Sequence, residues 1–224
     1  MEANETEGQN CWEGVKQQEE LEEALGLTYW ESRLKADLQL KLFFFFLLFL
    51  LTANVILDPD TAHPCLTISK DHKSIEVRED LGDPSLPKNP ERFENCQYVL
   101  GCQGFSTGRY FWEVNVGDKE VWAVGVVRKS VERKYWTDIS PDAGIWEIQK
   151  VEGRYTASFS NKSLDLPQNA RRIRVSLNCE GGQVTFFNAE TAALLYRLSE
   201  ALFAGETLLP SFYLGDNASL TLSP

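Results

Sequence analysis

The sequence predicts an all-β body, folded as an antiparallel two-sheet sandwich and preceded by a short acidic helix. Three observations carry that expectation. From Leu57 onward, short aromatic and β-branched runs are cut by turn residues at spacings of about 8–15 residues, the texture of an antiparallel sandwich. Tyr110–Val116 alternates, with Phe111, Glu113 and Asn115 on one face and Tyr110, Trp112, Val114 and Val116 on the other. Gly181-Gly182 separates two further runs, Ile173–Asn178 and Val184–Asn188, as a tight hairpin would.

Taken in order, the chain begins with an acidic lead. Residues 1–41 hold ten acidic and four basic residues. Val15–Leu40 reads as helix, because Leu21 and Leu25 are four apart and Leu27, Trp30, Leu34 and Leu38 continue at spacings of three and four. Glu31 and Lys35 stand in the favourable i, i+4 order, while Gly26 costs about 1 kcal/mol in a helix interior. Self-association through 15–40 as a piece of coiled coil is one reading. A solvated amphipathic arm is the blander one, since clean heptads are absent. Asn4-Glu5-Thr6 matches a glycosylation sequon, which matters only in the secretory lumen.

A run made only of Leu and Phe follows at Leu42–Leu51, and sixteen residues, 42–57, carry no charge. A spanning helix needs about 20 apolar residues, so the strip falls slightly short. Three readings stay open: a short transmembrane or signal-anchor helix, a segment packed on the body, or a translated polypyrimidine tract, because Phe and Leu codons are pyrimidine-rich.

Within the body, strands are expected at Leu66–Ser69, Ser74–Arg78, Tyr110–Val116, Val121–Val127, Gly144–Gln149 and Tyr155–Phe159. Others follow at Ile173–Asn178, Val184–Asn188, Ala193–Arg197 and Leu208–Leu214, with a helical turn at Ser199–Leu202. Pro59, Pro64, Pro84, Pro87 and Pro90 crowd the first third, which is therefore read as short strands and turns along an edge. Trp112, Trp122 and Trp146 are expected in the core.

Composition excludes several functions. The chain has 224 residues and a net charge of −11, so no broad basic face for nucleic acid is expected. Five Cys form no C-x-x-C pair, and the two His, His63 and His72, have no metal-ligand rhythm. No G-x-S-x-G, P-loop or dinucleotide fingerprint is present. We therefore expect no catalytic residues, no metal and no cofactor, and thiols kept in a reducing, cytoplasmic compartment.

Binding has candidates. Lys134-Tyr135-Trp136-Thr137-Asp138 lies between two expected strands, and two adjacent aromatics cannot both face a core from one loop. An exposed Trp136 or Tyr135 would suit a binding hot spot, whereas the bland alternative has Trp136 capping the sandwich edge. Arg128, Lys129, Arg133 and Lys134 read as a solvated face.

A family resemblance runs through these residues. Leu57-Asp58-Pro59-Asp60-Thr61-Ala62-His63-Pro64 resembles the opening of the PRY segment of PRY-SPRY domains. The similarity continues through Val99-Leu100-Gly101, Gly108–Val114, Trp122–Val126, Gly144-Ile145-Trp146, Arg172–Val175, Val184–Asn188 and Leu209-Pro210. It covers about residues 54–224 and divides the chain into 1–41 (lead), 42–53 (strip), 54–108 (PRY segment and start of SPRY) and 109–224 (SPRY body). Such domains form the C-terminal modules of butyrophilins and tripartite-motif (TRIM) ubiquitin ligases. The resemblance implies a bent, concanavalin-like two-sheet sandwich that recognises a protein or peptide through loops at one rim, in innate-immune or butyrophilin-like signalling.

It also implies pocket positions: Ala123 after the strand Trp, Gln149 and Val151 after the G-x-W motif, and Phe212 and Tyr213 after the late Pro. With Lys134, Tyr135 and Trp136 they make up the expected partner site. Ala123, Gln149 and Val151 depart from the residues of antibody-binding and phosphorylated-metabolite-binding relatives, so neither ligand is expected. A membrane receptor tail anchored through 42–57, or the substrate receptor of a ligase whose RING lies elsewhere, are the alternative settings.

Overall fold

The computed structural model describes residues 51–78, 89–118, 121–135, 139–158, 160–164, 170–199, 201, 203 and 205–223. The expected helix at 15–40, the strip at 42–50 and Trp136 lie outside the described residues. Among those described there is no helix, and the fifteen strands run as follows. The first five are β1 (Leu51–Thr52), β2 (Leu57–Asp58), β3 (Leu66–Ile68), β4 (Ser74–Val77) and β5 (Tyr98–Gly101). Next come β6 (Arg109–Asn115), β7 (Trp122–Arg128), β8 (Ile145–Val151), β9 (Arg154–Ala157) and β10 (Ser160–Leu164). The last are β11 (Arg172–Asn178), β12 (Gln183–Asn188), β13 (Leu194–Leu198), β14 (Leu208–Leu214) and β15 (Ser219–Leu222).

Two sheets form. One has the order β13-β12-β11-β6-β15-β4-β3, with β1 added parallel to β6; the other is β10-β9-β8-β7-β14-β5-β2. Apart from β1 with β6, every strand pairing is antiparallel. The first sheet has one wet face. On β11, Ile173, Val175 and Leu177 are fully buried, while Arg172, Arg174 and Ser176 between them face outward. Across the ladder, Val175 faces Trp112 and Arg174 faces Glu113, whose carboxylate it grips through Nε and Nη2 at 2.9 and 2.7 Å.

The second sheet is covered on both faces, and this explains the uninterrupted apolar run of β7. Trp122, Val124 and Val126 point to the inter-sheet core with Trp112, Trp146 and Phe212. Val127 points the other way, into a second apolar cluster with Phe93, Tyr98, Leu100, Val131, Ile145 and Leu209. Each large side chain so buried stabilises the fold by about 1.5–3 kcal/mol.

Residues 51–57 belong to this body. Ala53, Val55 and Leu57 are buried in the inter-sheet core while Asn54 and Ile56 between them are exposed. Burial of alternate residues fits extended backbone, so this stretch, with β1 and β2 at its ends and no helix in it, feeds the core. No helix among the described residues is long and apolar enough to cross a membrane. Ser199 and Ala201, within the expected helical turn, are not helical. The described cysteines Cys65, Cys96, Cys102 and Cys179 are free.

Candidate functional site

Two loops lie on the outer face of the second sheet: residues 89–97, leading into β5, and residues 129–135, after β7. Charged side chains lace them together. Arg133 Nη2 donates to Lys129 O at 2.9 Å, and its Nη1 reaches the Glu91 carboxylate. Its guanidinium lies over the Phe93 ring at 6.0 Å, and the side chain is only 8% exposed. Lys134 Nζ donates to Asn89 O, Arg92 O and Glu94 Oε1, each at 2.8 Å. The Glu132 carboxylate accepts the backbone N–H groups of Arg133, Lys134 and Tyr135, which hold its proton affinity below the ordinary range.

These contacts correct the reading of Arg128, Lys129, Arg133 and Lys134 as one solvated face. Arg133 is buried, Lys134 is tied down, and Arg128 lies 5.3 Å from the centre of the Trp146 ring beside Glu206; only Lys129 is exposed. A guanidinium packed on aromatic rings loses little hydration, so a basic sequence can become structural mortar.

Between the laced loops and the sheet opens an apolar cavity of about 250 Å³. Its walls are the rings of Phe93, Tyr98 and Tyr213, with Tyr98 centred 5.3 Å from Phe93 and 5.1 Å from Tyr213. Val127, Val131 and Ile145 add aliphatic surface. Glu132, Tyr135, Gln149 and Val151 also line it. Tyr135 is 75% exposed and Val151 41% exposed, so both present surface at the cavity. Gln149 is held by a bond from Nε2 to Thr156 Oγ1 at 2.8 Å.

Four expected site residues thus converge on one cavity: Tyr135, Gln149, Val151 and Tyr213. Three others do not line it. Phe212 is fully buried in the inter-sheet core, because strand alternation sends it opposite to Tyr213. Ala123 pairs with both Gln149 and Tyr213, yet its single methyl is 1% exposed and does not reach the space. Lys134 is spent on the neighbouring loop. Trp136 lies outside the described residues.

Beneath Tyr98 sits a residue that sequence reasoning missed. Glu147, on β8, is fully buried. Tyr98 Oη donates to its Oε2 at 2.8 Å, and Ser211 Oγ donates to its Oε1 at 2.7 Å. Burial pushes this carboxyl up to about 7. The available signal was an acid set inside the apolar strand Ile145-Trp146-Glu147-Ile148, on the face opposite Trp146. Phe93 and Tyr98 carried no local signal, since they matter only where two loops meet. No cluster of His, Cys, Asp and Glu fit for a metal ion occurs among the described residues.

Comparison with known proteins agrees with this geometry. Residues 55–105 match the SPRY-associated domain, PRY, and residues 109–223 match the SPRY domain. Butyrophilin subfamily 2 member A2 of Mus musculus is 41% identical over 174 residues, covering 77% of this chain and 33% of that protein. The E3 ubiquitin-protein ligase TRIM58 of Mus musculus is 39% identical over 173 residues, covering 76% of this chain and 35% of that protein. The chain spans about a third of the length of these curated relatives. The TRIM65 PSpry domain superposes with a TM-score of 0.66 at 22% identity, covering 77% of this chain and 91% of that one, and so shares the fold. In butyrophilins and TRIM proteins the module is a non-catalytic unit for protein interaction. Two sheets in this order, the ordered motifs on their strands and the matches across residues 55–223 agree: the chain belongs to the PRY-SPRY domain family.

Proposed function

We propose that the domain captures a protein or peptide by drawing an apolar side chain into the cavity lined by Tyr135, Gln149, Val151 and Tyr213. The observation that carries this reading is the convergence of those four residues on one apolar space with exposed Tyr135 and Val151 at hand. Buried aromatic walls supply contact area, and Gln149 is a polar group able to orient a peptide backbone. Trp136, the next residue in the chain, is expected to contribute to the same capture.

In this reading the PRY-SPRY domain acts by recognition, and any chemistry belongs to the domains joined to it. Its setting follows from kinship: a butyrophilin-like receptor tail or the substrate receptor of a TRIM-type ligase, each joined to further domains. Alkaline carbonate extraction of the full chain against residues 53–224 separates these, since only the receptor setting leaves the longer form in the membrane pellet.

The test of the site is the Val151→Asp variant, compared with wild type in quantitative proximity labelling of the expressed full chain. A charge placed at the cavity is expected to cut labelling of specific neighbours at least about tenfold, with the thermal midpoint unchanged. Equal labelling by both proteins moves the binding site elsewhere on the domain.

A further inference from the structure

Glu147 does not line the cavity itself, yet it stands under it with its charge paired by no cation among the described residues. The Tyr98 and Ser211 hydroxyls bond its two carboxylate oxygens, Ser158 Oγ accepts its backbone N–H at 3.0 Å, and the Ser158 N–H donates to its carbonyl at 3.0 Å. Opposite it on β7 is Gly125, which brings no side chain at all. The other titratable groups facing the cluster are Cys96 and Tyr98 from the loop and β5, and Tyr213 from β14. Burial raises all three, so each is neutral near pH 7.

We propose that Glu147 is the positioning residue of this cavity and its proton switch: its carboxyl fixes the Tyr98 ring, and filling the cavity with an apolar group is coupled to proton uptake at that carboxyl. The coupling rests on the proposed capture site; the positioning of Tyr98 does not.

As a carboxylate, Glu147 accepts from both hydroxyls, and charge-assisted bonds hold Tyr98 firmly. Gaining a proton turns one oxygen into a donor, so one of those two contacts must reverse. An apolar group seated against Tyr98 removes the water nearest this buried charge, which favours the neutral form. By reciprocity, protonation then favours the filled cavity. With its midpoint brought up to about 7, the carboxyl changes charge within the neutral range rather than far below it. His63 titrates lower, because burial and the adjacent Arg92 depress it, and it bonds the backbone of Glu94 rather than the cluster.

The test uses the full chain with ¹³C-labelled Glu carboxyls and Tyr rings, followed by NMR between pH 5 and pH 9. The Glu147 carboxyl is expected to titrate near neutrality, with the Tyr98 and Tyr213 ring signals moving at the same midpoint. Glu147→Gln is expected to abolish those ring shifts. Tyr98→Phe is expected to leave Glu147 titrating while disconnecting Tyr213. A Glu147 midpoint near the ordinary glutamate value, or rings that do not follow it, overturns the positioning role. N-acetyl-leucinamide serves as the apolar probe, and its affinity is expected to fall about threefold or more from pH 6 to pH 8 in wild type and to stay level in Glu147→Gln. Equal affinity at both pH values in wild type overturns the coupling. Absence of probe binding at every pH overturns both the capture site and the coupling, while the ring titration still decides the positioning of Tyr98.

Discussion

Glu147 and His63 place opposite pH dependences in one small domain. The folded Glu147 carboxyl binds its proton up to about pH 7, whereas an unfolded one releases it near 4.5. Its contribution is therefore fully present below about 4.5 and is lost as pH rises toward 7, after which it is level. Removing the charge by Glu147→Gln is expected to help little at pH 4.5 and by up to about 3 kcal/mol at pH 8, read from urea unfolding at the two pH values. A gain independent of pH would mean that the carboxyl is not the group at fault. His63 works the other way. Its Nδ1 accepts the Cys65 N–H at 3.2 Å and its Nε2 donates to Glu94 O at 3.1 Å, so the fold needs the neutral ring. Its pKa is lowered chiefly by burial, so stability it contributes above pH 6.5 is lost as pH falls through that depressed value.

Gly125 shows a residue chosen for its absence of side chain. A Cβ there would lie 2.1 Å from Trp146 O and 2.7 Å from Glu147 Cα. Gly125→Ala must push β8 away from β7 and is expected to destabilise the domain by roughly 2–4 kcal/mol, measured by chemical unfolding. This close approach is the physical reason for a glycine within the Trp122–Val126 stretch of this chain.

At the scale of elements, the β8–β9 hairpin stores a small, removable strain. Its two-residue turn is Glu152-Gly153, at φ of +50° and +75°. Both positions need the left-handed region, which Gly tolerates and Asn accepts far better than Glu. Glu152→Asn is expected to stabilise by about 0.5 kcal/mol and raise the melting temperature by about 1–2 °C in a calorimetric scan. Gly181-Gly182, legible in the sequence as a hairpin, meets the same need at Gly182, with φ of +58°.

Whether a strand was legible depended on its length and on its cover. β11 reads cleanly because one face is wet and its pattern alternates. β1 and β2 are only two residues long, too short for periodicity to show, and exist because longer neighbours supply the ladder. The expectation of a solvated basic face failed at Arg133 for a related reason. Four basic residues within seven positions look like surface, but a guanidinium can stack and donate at once, and Phe93 with Glu91 waits 40 residues upstream.

For the molecule as a whole, the described body reaches back to β1 at Leu51. Ala53 and Val55 are buried, so the segment before the Leu57–Pro64 motif is part of the core. A chain of residues 50–224 is expected to unfold cooperatively. One starting at residue 58 is expected to lose about 3–6 kcal/mol, a large share of a small domain's stability, in parallel urea titrations. Equal midpoints for the two forms would show that β1 and β2 are dispensable.

The sequence by itself determined the all-β class, the main strands and the kinship, because alternation, turn residues and spaced motifs are local properties of the chain. It also named Gln149, Val151 and Tyr213 through that kinship, and Tyr135 through its place beside a second aromatic in one loop. Only the tertiary structure decided that Tyr213 faces the cavity while Phe212 fills the core, that Lys134 is spent on a loop, and that Tyr98 meets Glu147 from 49 residues away. A strand's periodicity says which residues share a face. Which face is covered, and by what, depends on contacts between segments distant in the chain, and those exist only once both sheets have closed on each other.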